Sequence, residues 1–318
     1  MTVRADGSLA RPAGNPPRAF VEEAHDHGVK VTVLAWCDTQ QDSDSYLARR
    51  APEAAQNLVA YVQENGLDGV CWDDERPGAN NAVAGGPNAP LVSAFLQNLC
   101  QALKGASANY HLAYAAPPVI SASDRFAASW LDWASIAPSV DAIIPMLYTA
   151  NPASIGWTTG AEPLAGSTAT ARTVPRDVVT LMADYQAAVA GQKDKLLLGI
   201  NSFPWTGYEF RSRTAARLAP IMQAGATRPY DYMEAQAGLY GKRWDSKQQS
   251  AWYVYQDGEQ FVQGWYDDEH SWAAKLDYAS QEGLAGVGIW VLDGQRDSPA
   301  MWDPLRTAFA APKAEIAE

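Results

Sequence analysis

Short runs of β-branched and apolar residues alternate along this chain with longer stretches of helical periodicity, and that alternation constrains the fold most. Parallel strands need a crossover of a dozen or more residues, normally a helix, so the alternation predicts a parallel sheet built from βαβ units. Six runs read as strands: Val29–Trp36, Gly69–Trp72, His111–Ala115, Ala142–Tyr148, Lys195–Phe203 and Gly286–Leu292. Ala51–Gln63, Leu91–Leu103, Asp177–Val189 and Ser271–Glu282 read as helices between them, the last with Ser271 as its N-cap and Gly283 closing it. A chain of 318 residues, 47% of them hydrophobic, can bury the core of one barrel domain as well as two ordinary ones. The pattern predicts an α/β fold of the (β/α)8 TIM-barrel type, with residues 1–318 as one domain.

Three stretches break the rhythm. Residues 203–286 separate the fifth and sixth strands by more than one helix needs, so 204–285 is expected to hold an α+β insertion before the last strand. Within it, Ala251–Tyr255 and Gln260–Tyr266 flank the turn Gln256-Asp257-Gly258 as a hairpin. Residues 76–90 form a loop rich in Gly, Pro and Asn, at a strand end where such barrels carry their chemistry. Residues 1–20, rich in Pro, Gly and Arg, read as a loop. The first one or two βα units of an eight-stranded barrel are therefore expected to be missing. The expectation is a truncated version of a longer chain, or one completed by another segment.

Charge and composition exclude several classes. The net charge is -12, from 24 Lys+Arg against 36 Asp+Glu, which disfavours nucleic acid and anionic membranes as partners. No apolar run reaches the roughly 18 residues of a membrane span, and the polar start Met1-Thr-Val-Arg-Ala-Asp shows no signal-peptide pattern. Cys37, Cys71 and Cys100 lack CxxC spacing, and His25, His27, His111 and His270 lack ligand spacing with a carboxylate, so no metal or cofactor is expected. The 12 Trp and 14 Tyr offer broad apolar faces with polar edges, suited to pyranose rings as well as to cores. Trp205, Trp244, Trp252 and Trp265 could line sugar subsites, but core packing is the expected role for most of them.

The chemistry concentrates in Gly66-Leu-Asp-Gly-Val-Cys-Trp-Asp-Asp-Glu75, a strand that ends in acids. Alternation puts Cys71, Asp73 and Glu75 on one face and Val70 and Trp72 on the other. If the first face lines a cavity, two carboxylates meet at its mouth, one pKa rises, and the protonated member can act as a general acid. The plainer alternative is a solvated acidic loop start, which the apolar strand before it makes less apt.

This segment resembles the DGxDxDxE signature of glycoside hydrolase family 18, the chitinase-like enzymes. Asp68-Gly69 matches its opening, Asp73 its middle Asp and Glu75 its acid. Pro145-Met146-Leu147-Tyr148 is similar to the family's Met-x-Tyr strand end, and Pro204-Trp205-Thr206-Gly207-Tyr208 to its PxYGY-type segment. Trp265-Tyr266-Asp267-Asp268, then Ser271, Lys275, Tyr278 and Gly283 to Trp290, resembles its closing stretch. Within the family the late segment is most similar to the di-N-acetylchitobiase branch.

The resemblance implies roles for these positions. Glu75 would protonate the glycosidic oxygen, and Asp73 would orient and polarise the substrate's own 2-acetamido group as nucleophile. Tyr148 would hydrogen-bond the acetamido oxygen. Trp290 would form the apolar floor under the reacting sugar beside Met146, with Cys71, Trp205 and Tyr208 completing the binding residues. The implied partner is an N-acetylglucosamine oligosaccharide or polysaccharide, bound by a monomer in an extracellular or periplasmic setting. Three positions depart from the pattern: Cys71 replaces the first inward Asp, Asp74 replaces an apolar residue, and Thr149 replaces a frequent Asp. A small buried hydrophobe is the favoured reading of Cys71. Two other readings stay open: a peptidoglycan- or N-glycan-directed hydrolase, and a catalytically inactive lectin-like barrel.

Overall fold

The computed structural model describes residues 1–4, 6–11, 14, 16–37, 50–73, 89–116, 131–149, 156–160, 162–166, 177–202, 207–291 and 299–308. They fall into two compact units, one of residues 1–145 and 184–196, the other of 146–183 and 197–318.

The first unit is built on a parallel sheet of four strands in the order β3 (Thr32–Ala35), β4 (Gly69–Asp73), β5 (His111–Ala116) and β6 (Ala142–Pro145). Helices α2 (Ala51–Glu64) and α3 (Ala89–Ala106) are the crossovers that parallel pairing demands. Apolar side chains on alternate strand positions meet them: Val70 and Trp72 are buried, and the Trp72 ring lies 4.7 Å from that of Phe95 on α3. Burying such a ring stabilises by about 2–3 kcal/mol.

Residues 1–20 are not the loop that their composition suggests. Thr2–Val3 (β1) and Leu9–Ala10 (β2) form a small antiparallel pair, and Arg18–Asp26 is helix α1. β1 also runs parallel to the end of β3, where Thr2 bridges Trp36, Val3 N donates to Trp36 O at 2.8 Å and Trp36 N donates to Met1 O at 3.0 Å. A strand of two residues has no periodicity to read, which is why composition prevailed.

Residues 142–148 are also shorter as a strand than expected. The short helix α4 (Trp133–Ile136) precedes β6, which stops at Pro145. Leu147–Thr149 is a 3-10 turn, so Tyr148 rides on the turn beyond the strand, and helix α5 (Val178–Ala188) follows later in the chain.

In the second unit, β7 (Leu197–Asn201) and β13 (Gly286–Trp290) pair in parallel, from Gly286 opposite Leu197 to Trp290 opposite Asn201. Between them lies an antiparallel sheet of five strands, in the order β10 (Arg243–Asp245), β11 (Ser250–Asp257), β12 (Gln260–Tyr266), β8 (Gly207–Ser212) and β9 (Ile221–Arg228). The expected hairpin is β11–β12, but its register of Asp257 opposite Gln260 moves the turn to Gly258-Glu259. One face packs Tyr253 and Tyr266 around Met233 and Ala237 of α6 (Tyr230–Tyr240); the other holds Phe210, Trp252, Val254 and Trp265. Trp252 and Trp265 stack at 5.1 Å, so both are core residues. The next helix, α7, spans Glu269–Gln281, and its cap is Asp268 rather than Ser271. Asp268 Oδ1 accepts from His270 N and Ser271 N at 3.1 and 3.0 Å, because a carboxylate one turn back reaches the free amides first. Gly283, at φ +64°, follows the helix end as expected.

Candidate active site

The acid-bearing strand β4 is fixed at its entry. Asp68 Oδ2 accepts from Val31 N at 2.7 Å and contacts His25 Nε2 at 2.8 Å, tying β4 to the start of β3. Asp141 repeats the device beside β6, taking Leu112 N at 2.8 Å and Lys104 Nζ at 3.0 Å. Gly69 has φ +151°, and an added Cβ would lie 1.9 Å from His111 O, so only glycine permits this approach of β4 to β5. The Asp-Gly pair of the motif is thus the footing of the strand.

From that footing, Cys71 and Asp73 come out on the face opposite Val70 and Trp72, as alternation predicts. Their neighbours in register are small: Ala113 beside Cys71 and Ala115 beside Asp73. Burial, helped by the charge of Asp73, pushes the Cys71 thiol up to about 12. It is therefore a neutral group at working pH and cannot share charge as the carboxylate of the family pattern would. Glu75 and Trp205 lie outside the described residues.

In the second unit, Met146 is buried and Tyr148 half-buried, and their segment packs beside β7. β13 pairs with β7, and its last residue, Trp290, keeps 43% of its surface exposed. Such a ring at a strand end offers an open apolar face. Ser202 N donates to Trp290 O at 2.6 Å, and the Trp290–Val291 peptide is cis. Tyr208 is half-buried, stacks on Phe210 at 5.9 Å, and has its hydroxyl pKa raised by burial and then by Glu162. The second unit thus sets the turn that carries Tyr148 beside β7, and Trp290 at the end of the strand paired with β7.

The closing stretch holds a buried ion group whose third member, Glu162, no motif announces. Lys275 of α7 has a fully buried side chain between Glu162, 2.8 Å from its Nζ, and Asp267, which is closer still. Glu162 Oε1 also accepts from Asn201 N at 2.7 Å. Burial pushes Glu162 up to about 7, against the pull of Lys275. Lys275 stays charged because Asp267 and Glu162 outweigh its own burial. The sign of this burial is that Lys275, already part of the closing stretch, lies on the apolar stripe of α7 with Trp272, Leu276 and Ala279.

Asp268, Glu269 and His270 place one possible ligand atom each within 4.8 Å of one another. Asp268, however, already pairs with Lys242 at 2.8 Å and caps α7, which leaves a poor cation site. No helix among the described residues is long and apolar enough to cross a membrane.

Comparison with known proteins places the chain in a class. The chain belongs to the glycosyl hydrolases family 18, whose profile matches residues 22–295. A probable endochitinase of Caenorhabditis elegans is 25% identical over 250 residues, covering 74% of this chain and 38% of that protein, so the chain spans well under half of its relative. The crystal structure of a chitinase from Rhizomucor miehei superposes with a TM-score of 0.76 at 20% identity, covering 96% of this chain and 92% of that one. A family 18 N-acetylglucosaminidase from Paenibacillus barengoltzii superposes at 0.73 with 19% identity, over 92% and 86% of the two chains. The fold is accordingly of the TIM-barrel type.

Proposed function

We propose that this chain is a glycosidase that hydrolyses β-1,4-linked N-acetylglucosamine oligomers by a substrate-assisted, retaining route. The observation that carries the reading is β4: Asp73 stands at its last position, on the face of Cys71, two residues before Glu75 in a chain of this family. In this reading Glu75 is the general acid. Asp73 turns the substrate's acetamido group so that its carbonyl oxygen attacks the anomeric carbon, and Tyr148 donates to that oxygen as charge develops. Trp290 supplies the apolar platform, with Met146 packed beside it. The relatives named as chitinase and N-acetylglucosaminidase support the substrate class.

Glu75→Gln keeps the shape of the acid and removes its proton. Release of fluorophore from a chitobiose glycoside should fall about 10²–10⁴-fold, while calorimetric binding of chitobiose stays within twofold. Turnover that survives the substitution would remove Glu75 from the role. Cys71 gives one observation in favour of a binding-only protein, since a neutral thiol stands where the family pattern has an acid. Binding without release by the unmodified chain would decide for that second reading.

A further inference from the structure

The buried Lys275 group asks for a function, because burying one cation with two carboxylates is weak evidence of a stability gain: an apolar trio of the same volume often serves as well. Its geometry points along one line. Lys275 Nζ lies 2.8 Å from Glu162 Oε2, and the other oxygen of Glu162 takes Asn201 N at 2.7 Å. Asn201 ends β7 and faces Trp290 across the β7–β13 ladder. Ser202 continues the connection, its amide donating to Trp290 O at 2.6 Å and its hydroxyl to Val291 O. Asp267 holds Lys275 from the far side and takes Ser250 Oγ at 3.4 Å, so the lysine cannot swing away from Glu162. The segment carrying Glu162 is itself pinned, with Leu164 N donating to Gln248 O at 2.8 Å and Gly160 N to Gln248 Oε1 at 3.0 Å.

We propose that Glu162 is a positioning residue for the sugar platform: held by Lys275 and Asp267, its carboxylate fixes the Asn201–Trp290 rung and so the plane of the Trp290 ring. A single buried carboxylate thereby joins α7 to the end of β7. Neither Glu162 nor Lys275 touches the sugar; both act through the rung. The inference rests on the reading of Trp290 as the platform under the reacting ring.

A double-mutant cycle on the full chain tests it, with chitobiose glycoside turnover and chitobiose affinity as readouts. Trp290→Ala alone should weaken affinity at least tenfold. If it does not, the platform reading has failed, and this inference with it. Given that loss, Glu162→Ala should also lower kcat/KM at least tenfold, mainly through KM. In the Trp290→Ala background it should change kcat/KM less than twofold, because there is no ring left to position. A loss of similar size in both backgrounds, or none in either, overturns the positioning role while leaving the platform intact. If Glu162→Ala does not fold, Glu162→Gln keeps the shape and an acceptor for Asn201 but faces Lys275 with a neutral amide. It should cost at least threefold in KM, again only with Trp290 present; equal losses in both backgrounds would refute the inference.

Discussion

Gly69→Ala is the sharpest test of how the acid-bearing strand is seated. The added methyl carbon would lie 1.9 Å from His111 O, 2.6 Å from His111 N and 2.7 Å from the carbonyl carbon, all of them backbone atoms. A carbon resting on a carbonyl oxygen needs about 3.3 Å, so β4 and β5 must part by more than an ångström. They would part where His111 N donates to Asp68 O at 2.7 Å. Two ladder hydrogen bonds at about 1 kcal/mol each and about 1–3 kcal/mol of strain at an unfavourable φ sum to about 3–5 kcal/mol. At roughly 2 °C per kcal/mol for a large domain, the melting temperature should drop by about 6–10 °C. Gly66 is the internal control: its φ is +64°, yet nothing lies within 4 Å of an added Cβ. Gly66→Ala should therefore cost only the left-handed backbone penalty of about 1–2 kcal/mol. Scanning calorimetry on both variants decides. Equal shifts for the two, or a Gly69→Ala protein as stable as its parent, would refute the argument that close approach rather than dihedral freedom fixes the strand.

Two further outcomes follow from the charges. Cys71→Asp sets a second carboxylate about 6.6 Å from Asp73 by the rise of two strand residues. Repulsion of roughly 2.5 kcal/mol at an effective dielectric near 20 then separates the two titrations by about 2 units. The acid limb of the kcat/KM profile should broaden accordingly, and an unchanged limb would mean that the two side chains do not share a face. Glu162 is raised from 4.5 to about 7 on folding, so between those values the native chain binds a proton that the unfolded chain has released. Stability must therefore fall as pH rises through that window. Lys275, Asp267 and Tyr208 are the charged or titratable groups coupled to it or facing it. Glu162→Gln should flatten this part of the curve in urea titrations at about pH 4.5, 6 and 7.5; an unaltered slope would assign the dependence to another group.

Much of this was legible from local pattern. β4 could be read because Val70 and Trp72 alternate with Cys71 and Asp73, and burial follows the same alternation. The β11–β12 hairpin showed itself through Asp257-Gly258 between two aromatic strands. What escaped was short or remote in sequence. β1 and β2 have two residues each and owe their existence to pairing partners. Tyr148 left the strand because Pro145 ends it, although the apolar run continues through Leu147. Glu162 lies 113 positions from Lys275, and no spacing rule connects residues so far apart. The role of Asp68 was hidden for a different reason. An acid that opens a motif invites a chemical role, while this one takes a backbone amide.

The seating of β4 has a consequence for how such an enzyme can change. Asp68 and Gly69 clamp the strand at its entry, and Asp73 stands four residues beyond at its exit. The strand is a cantilever, rigid at the wall and loaded at the tip. Substitutions at the exit need not disturb the bracket at the entry that seats Asp73. Innovation and upkeep are assigned to opposite ends of one short beam.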